Sequence, residues 1–72
     1  MMVDTNKLRG RMVEKGISQE GLAKAIGLDR STVNRKLKTG EDFSIGEANR
    51  IAEALHLSRD EAVSIFFTSI VA

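Results

Sequence analysis

Residues 18–39 read SQEGLAKAIGLDRSTVNRKLKT, and the punctuation of this stretch decides the fold. Ser18 and Asp29 are side chains that cap helix N-termini, because their oxygens accept from the unpaired amides of a first turn. Each stands in a hydrophobic staple, with Ile17 before Ser18 and Leu22 four after it, and Leu28 before Asp29 and Val33 four after it. Between them Gly27 can take the left-handed conformation that ends a helix. The stretch therefore reads as two short helices, 19–26 and 30–38, joined by a tight turn at Gly27-Leu28-Asp29. Ala23, four residues before Gly27, is small enough for a second helix to cross steeply and closely. This spacing predicts a helix-turn-helix over residues 18–39.

The same punctuation recurs on both sides. Asp4 lies between Val3 and Leu8, Ser44 between Phe43 and Ala48, and Ser58 between Leu57 and Ala62. Glu47 and Glu61 stand three after Ser44 and Ser58, which completes a capping box at each. With Gly16 and Gly40 as further stops, the remaining helices are expected at 5–15, 45–56 and 59–68. Apolar residues recur at helical spacing: Leu8 and Met12; Leu22, Ala25 and Ile26; Val33 and Leu37; Ala48, Ile51, Ala52 and Leu55; Ala62, Val63, Phe66 and Phe67. No period-two alternation competes. Helices this short are marginal alone, so they must pack these stripes together. The expected architecture is all-α, one compact five-helix domain over residues 1–72. Gly10 and Gly21 fall inside helices, where glycine costs about 1 kcal/mol relative to alanine; close helix approach is the expected reason.

Composition narrows the chemistry. Seventy-two residues leave no room for a second domain with an effector pocket. With 42% apolar and 29% charged residues the chain reads as soluble and globular. It has neither a membrane-length apolar run nor a signal peptide, and the expected location is the cytoplasm. There is no cysteine, which removes disulfides, thiolate metal sites and thiol nucleophiles. His56 is the only histidine; with no second ligand it reads as a structural residue at a helix end. Acidic residues are mostly accounted for by caps and first turns, and no isolated pair of carboxylates stands out. Ser18, Ser44 and Ser58 likewise have caps as their better reading, so no catalytic constellation emerges and no metal, cofactor or small-molecule ligand is expected. Net charge is only +1, yet it is polarised. Up to Gly40 nine basic side chains face four acidic ones, and from Glu41 onward two face six. A polyanion on the N-terminal side fits that division, and solvated helix faces are the alternative.

A helical wheel on the third helix gives the polyanion a surface. With Val33 at 0°, Leu37 falls at about 40°, so the buried stripe centres near 20°. On the far side lie Asn34 at about 100°, Lys38 at about 140°, Ser31 at about 160° and Arg35 at about 200°. This face holds cationic and hydrogen-bonding groups and no carboxylate. Arginine can bond both acceptors of guanine, and asparagine can pair with the donor and acceptor of adenine, so Arg35 and Asn34 are candidate base readers in a major groove. Arg30 in the first turn, and Ser31, reach a base or a phosphate. Gln19 opens the second helix, where free amides favour a phosphate. Lys38, and Lys36 from the flank at about 300°, add phosphate contacts of the kind that release counterions, an ordinary exposed lysine being the alternative at Lys36.

These residues resemble the lambda-repressor-like, or Cro/CI-type, helix-turn-helix regulators, which include small phage Cro-like and repressor proteins. The likeness is carried by ISQEGLAKAIGLDRSTVNRKLKTG, then by a fourth helix in FSIGEANRIAEALHLS and a short fifth. The resemblance implies phosphate contacts at Ser18 and Gln19 and base contacts at Arg30, Ser31 and Arg35. Two departures stand out: Gly21 replaces a larger polar residue, and Leu37 follows Val33 by four where well-known members space that apolar pair by three.

The expected partner is double-stranded DNA, bound by a homodimer whose two recognition helices stand about 34 Å apart, one turn of duplex. The tail at 65–72, IFFTSIVA, is rich in apolar residues. Phe66, Phe67, Ile70 and Val71 form a dimer seam on one reading and complete the monomer's core on the other. The expected function is a phage or bacterial repressor that binds a palindromic operator. The alternative is a protein-interaction module, such as an antitoxin or adaptor, on the same helices.

Overall fold

A computed structural model describes residues 2–67. Five helices follow one another: α1 (Thr5–Lys15), α2 (Gln19–Ile26), α3 (Arg30–Thr39), α4 (Ile45–Ala54) and α5 (Arg59–Phe66). No strand occurs among the described residues. The five N-caps are those expected, each with extended backbone, and four make a side-chain capping bond. Ser44 and Ser58 complete their capping boxes with Glu47 and Glu61. Asp29 is the exception: it holds the N-cap position of α3, but its carboxylate accepts no capping bond.

α4 stops at Ala54, two residues short of the expected 45–56 span. His56 adopts a left-handed φ of 52°. Its amide donates to the Glu53 carbonyl at 3.2 Å, and the Leu57 amide donates to the Ala52 carbonyl at 2.9 Å. This pair of bonds closes a helix with a left-handed residue in the place usually held by glycine. Histidine is among the non-glycine residues that enter that region most readily, so a stop without glycine passed unnoticed. α5 ends at Phe66, and the expected extension to residue 68 leaves the described residues.

α2 packs against both α3 and α4, while α1 packs against α3 and α5. Between them Leu8, Leu22, Ile26, Val33, Leu37, Ile51, Leu55 and Ile65 are buried. Phe43 and Val3, which the helical periodicities do not include, join that core. Ala25 leaves it: this member of the expected α2 stripe is exposed, and Ala23 takes the buried place. The expected reason for the interior glycines also fails. A side-chain carbon at Gly10 would meet nothing within 4 Å, and one at Gly21 would make ordinary contact with Ser18 and Ile17.

Phe66 is 1% exposed and belongs to the monomer's own core. Phe67 is half-buried against the same core. Ile70 and Val71 lie outside the described residues. The N-terminal segment closes the bundle: the Val3 amide donates to the Gly40 carbonyl at 2.7 Å and the Asp4 amide to the Ile65 carbonyl at 2.8 Å. Gly40 has φ +72°, and a Cβ there would stand 2.6 Å from the Val3 carbonyl oxygen. Only glycine fits that junction.

Candidate nucleic-acid interface

α2 and α3 form the helix-turn-helix, with the reversal made at Gly27 (φ 75°). Its turn is held by the Leu28 amide on the Ala23 carbonyl at 3.0 Å. From α4, Arg50 reaches across and donates to the Ile26 carbonyl at 3.3 Å, which satisfies an end carbonyl of α2 just before the turn. The sequence reading missed this clamp, since nothing in the spacing of Arg50 marks a partner 24 residues away.

Ser31, Arg35 and Lys38 are exposed on α3, as is Arg30 in its first turn, and Asn34 is half-buried. Among the described residues Arg30 and Lys38 form no ion pair. At the start of α2, the Ser18 hydroxyl accepts from the Gly21 amide at 3.1 Å. That bond uses a lone pair of the oxygen and leaves the O–H free to donate, so capping and phosphate binding are compatible at Ser18. Gln19 beside it is half-buried.

Lys36 is the correction. It was expected to meet phosphate, but it is 8% exposed and faces inward. Its Nζ donates to the Asp42 carbonyl at 2.7 Å and to the Glu47 carboxylate at 2.8 and 3.1 Å. A backbone carbonyl and a carboxylate thus share the ammonium as acceptors. Phe43 covers the site, its ring centroid 5.7 Å from the nitrogen. Lys36 lies three after Val33, the spacing at which well-known proteins of the resembled family carry an apolar residue, and this is the signal that could have found it. With Lys36 inside, the buried stripe of α3 turns from about 20° to just below 0° on the wheel, and Ser31 and Arg35 straddle the most outward direction.

Burial pushes the Glu47 carboxyl up, but the opposing causes win. The Lys36 hydrogen bond, the Ser44 amide and the charges of Lys36 and Arg50 together hold it below the ordinary glutamate range. The Glu47 carboxylate thus stays ionised at neutral pH, and its bond with Lys36 ties α3 to the first turn of α4. In the exposed connection between α3 and α4, Arg35 Nη1 meets Asp42 Oδ2 at 3.4 Å.

Among the described residues no helix is long and apolar enough to cross a membrane. No group of three or more His, Asp or Glu side chains there could hold a metal ion. A face of exposed arginine, serine and lysine on α3, with the half-buried Asn34 beside it, can bind an anionic lattice and read hydrogen-bonding edges on it.

The sequence profile of the Cro/C1-type HTH DNA-binding domain matches residues 7–65. Among solved structures, the chain is similar to the restriction-modification controller protein C.AhdI from Aeromonas hydrophila. The two are 36% identical and superpose with a TM-score of 0.68, over 81% of this chain and 88% of that one. No match to a curated protein sequence was found. The profile spans α1 through most of α5, including both helices of the motif and the turn after them, and the chain belongs to the Cro/C1-type helix-turn-helix DNA-binding domain family.

Proposed function

We propose that this DNA-binding transcriptional regulator is a repressor that occupies a palindromic operator as a homodimer, each copy laying α3 in a major groove. Arg35 and Asn34 read base edges, Arg30 and Ser31 reach bases or phosphates at the helix start, and Ser18, Gln19 and Lys38 hold the backbone. The single observation that carries this reading is the exposed α3 face of Ser31, Arg35 and Lys38 beside Arg30, on a helix whose other side is locked into the core. The similarity to a protein described as a restriction-modification controller supports a regulatory role for the same fold. Repression follows from occupancy when the operator overlaps a promoter. The interaction-module alternative loses part of its motive, because Phe66 is used by the monomer's own core.

Selection from a random duplex pool at near-physiological salt tests this. A palindrome with half-sites about one helical turn apart is the expected result. Salt-sensitive binding that enriches no sequence would overturn it.

A further inference from the structure

Asp42 sets an exposed carboxylate beside Arg35 in a basic motif, where it would repel phosphate, and its backbone is unusual. It is one of two non-glycine residues with positive φ among the described residues, at 65°. Strain of this kind persists only where the surroundings fix it. Here they do so from both sides. The Asp42 carbonyl is bound by the buried Lys36 ammonium at 2.7 Å, and that ammonium is itself held by Glu47. The next residue, Phe43, is 3% exposed in the core. The preceding amide, of Glu41, donates to Thr39 Oγ1 at 3.1 Å. A rigid turn thus sets the Asp42 carboxylate beside the guanidinium of Arg35, with Oδ2 3.4 Å from Nη1.

We propose that Asp42 is a positioning residue for base readout: it holds the Arg35 guanidinium in one plane so that the remaining donors present a two-pronged edge to guanine. The proposal rests on the reading in which α3 enters the major groove. Guanidinium has five N–H donors in a planar fork, so one bond to Asp42 leaves enough for a bidentate pair. An exposed pair of this kind contributes little to folding. Its effect is on the freedom of a long side chain that must otherwise be ordered at the moment of binding. The buried Lys36–Glu47 pair then has a role beyond stability, since it fixes the backbone from which the carboxylate projects.

The test uses Asp42→Asn and Asp42→Gly, both of which tolerate the left-handed backbone and keep the carbonyl for Lys36. A random duplex pool first gives the wild type's preferred site, and every single-base substitution of that site is then measured with wild type, both Asp42 variants, Arg35→Ala and the double variant Arg35→Ala/Asp42→Asn. Both Asp42 variants should lose about three- to tenfold discrimination at the base pair that Arg35→Ala relaxes, and at no other. In the Arg35→Ala background the Asp42 change should add nothing at that position. If instead the Asp42 variants bind every duplex more tightly by one common factor, with the preference profile unchanged, the carboxylate acts by repulsion alone and the positioning role is refuted while α3 readout stands. If wild type enriches no sequence, or Arg35→Ala changes no preference, the α3 reading falls and this proposal falls with it.

Discussion

Replacing Lys36 with methionine keeps the aliphatic stem and removes the charge, and the structure sets what that costs. The Lys36 and Glu47 side chains are 10% and 14% exposed, so the carboxylate left behind is partly shielded from water. Breaking a buried pair by deleting one partner costs about 3–5 kcal/mol. The pair is only partly buried and Glu47 keeps the Ser44 amide and the nearby Arg50 charge, which brings the expected loss below that range, to about 2–3 kcal/mol. For a domain of this size that is a drop in Tm of roughly 10–20 °C. The pH dependence carries the sharper test. The folded-state pKa of Glu47 is depressed, so its contribution is fully present above the unfolded value of about 4.3 and is lost as pH falls through the lower folded value. Without Lys36 that depression shrinks, and the gap between wild type and Lys36→Met should narrow as pH falls below about 4. Adding Glu47→Gln to Lys36→Met should recover part of the loss, because it removes the stranded charge. Urea unfolding at pH 7 and at acidic pH measures all three proteins. A Lys36→Met variant within about 0.5 kcal/mol of wild type at pH 7, or a gap independent of pH, would refute the reasoning.

Other outcomes follow from the same geometry. Gly40→Ala forces a side chain into the Val3 carbonyl and a left-handed backbone onto alanine; a loss of about 2–3 kcal/mol is expected in urea unfolding, from the strain and the strained Val3 bond together. Gly10→Ala meets no neighbour within 4 Å on the exposed side of α1, and should raise stability by about 0.5–1 kcal/mol in the same assay. His56→Gly relaxes the left-handed end of α4, and should raise Tm by a few degrees, about 0.5–1 kcal/mol for this size of domain.

The caps and glycines made most of the fold legible in the sequence, because each helix start carries a cap and staple that act within five residues. What escaped was set by distant partners. α4 stops early because His56 takes a glycine's place, which a rule built on glycine does not find. Asp29 holds a cap position without a capping bond, a matter of side-chain rotation that sequence does not specify. Lys36 looked like a phosphate contact because a charged residue at about 300° on the wheel is ordinarily solvated. The carboxylate that draws it inward belongs to Glu47, whose capping box says nothing of a second partner, although the Oε1 that accepts from the Ser44 amide also accepts from Lys36. Arg35 was found as an exposed cation opposite the buried stripe, whereas its neighbour Asp42 was seen only as one of the acidic residues in the second half of the chain. Phe66 was open between two roles because periodicity alone does not distinguish a core from a seam.

The central claim is that α3 carries the sequence information and that Lys38 contributes only to grip. Affinities of wild type, Arg35→Ala and Lys38→Ala for the selected site and for a scrambled duplex, across a salt series, test it most directly. Arg35→Ala should lose about 1–3 kcal/mol on the selected site and far less on the scrambled one. Lys38→Ala should weaken both alike and lower the salt slope by about one. Equal losses for both variants on both duplexes would contradict the account.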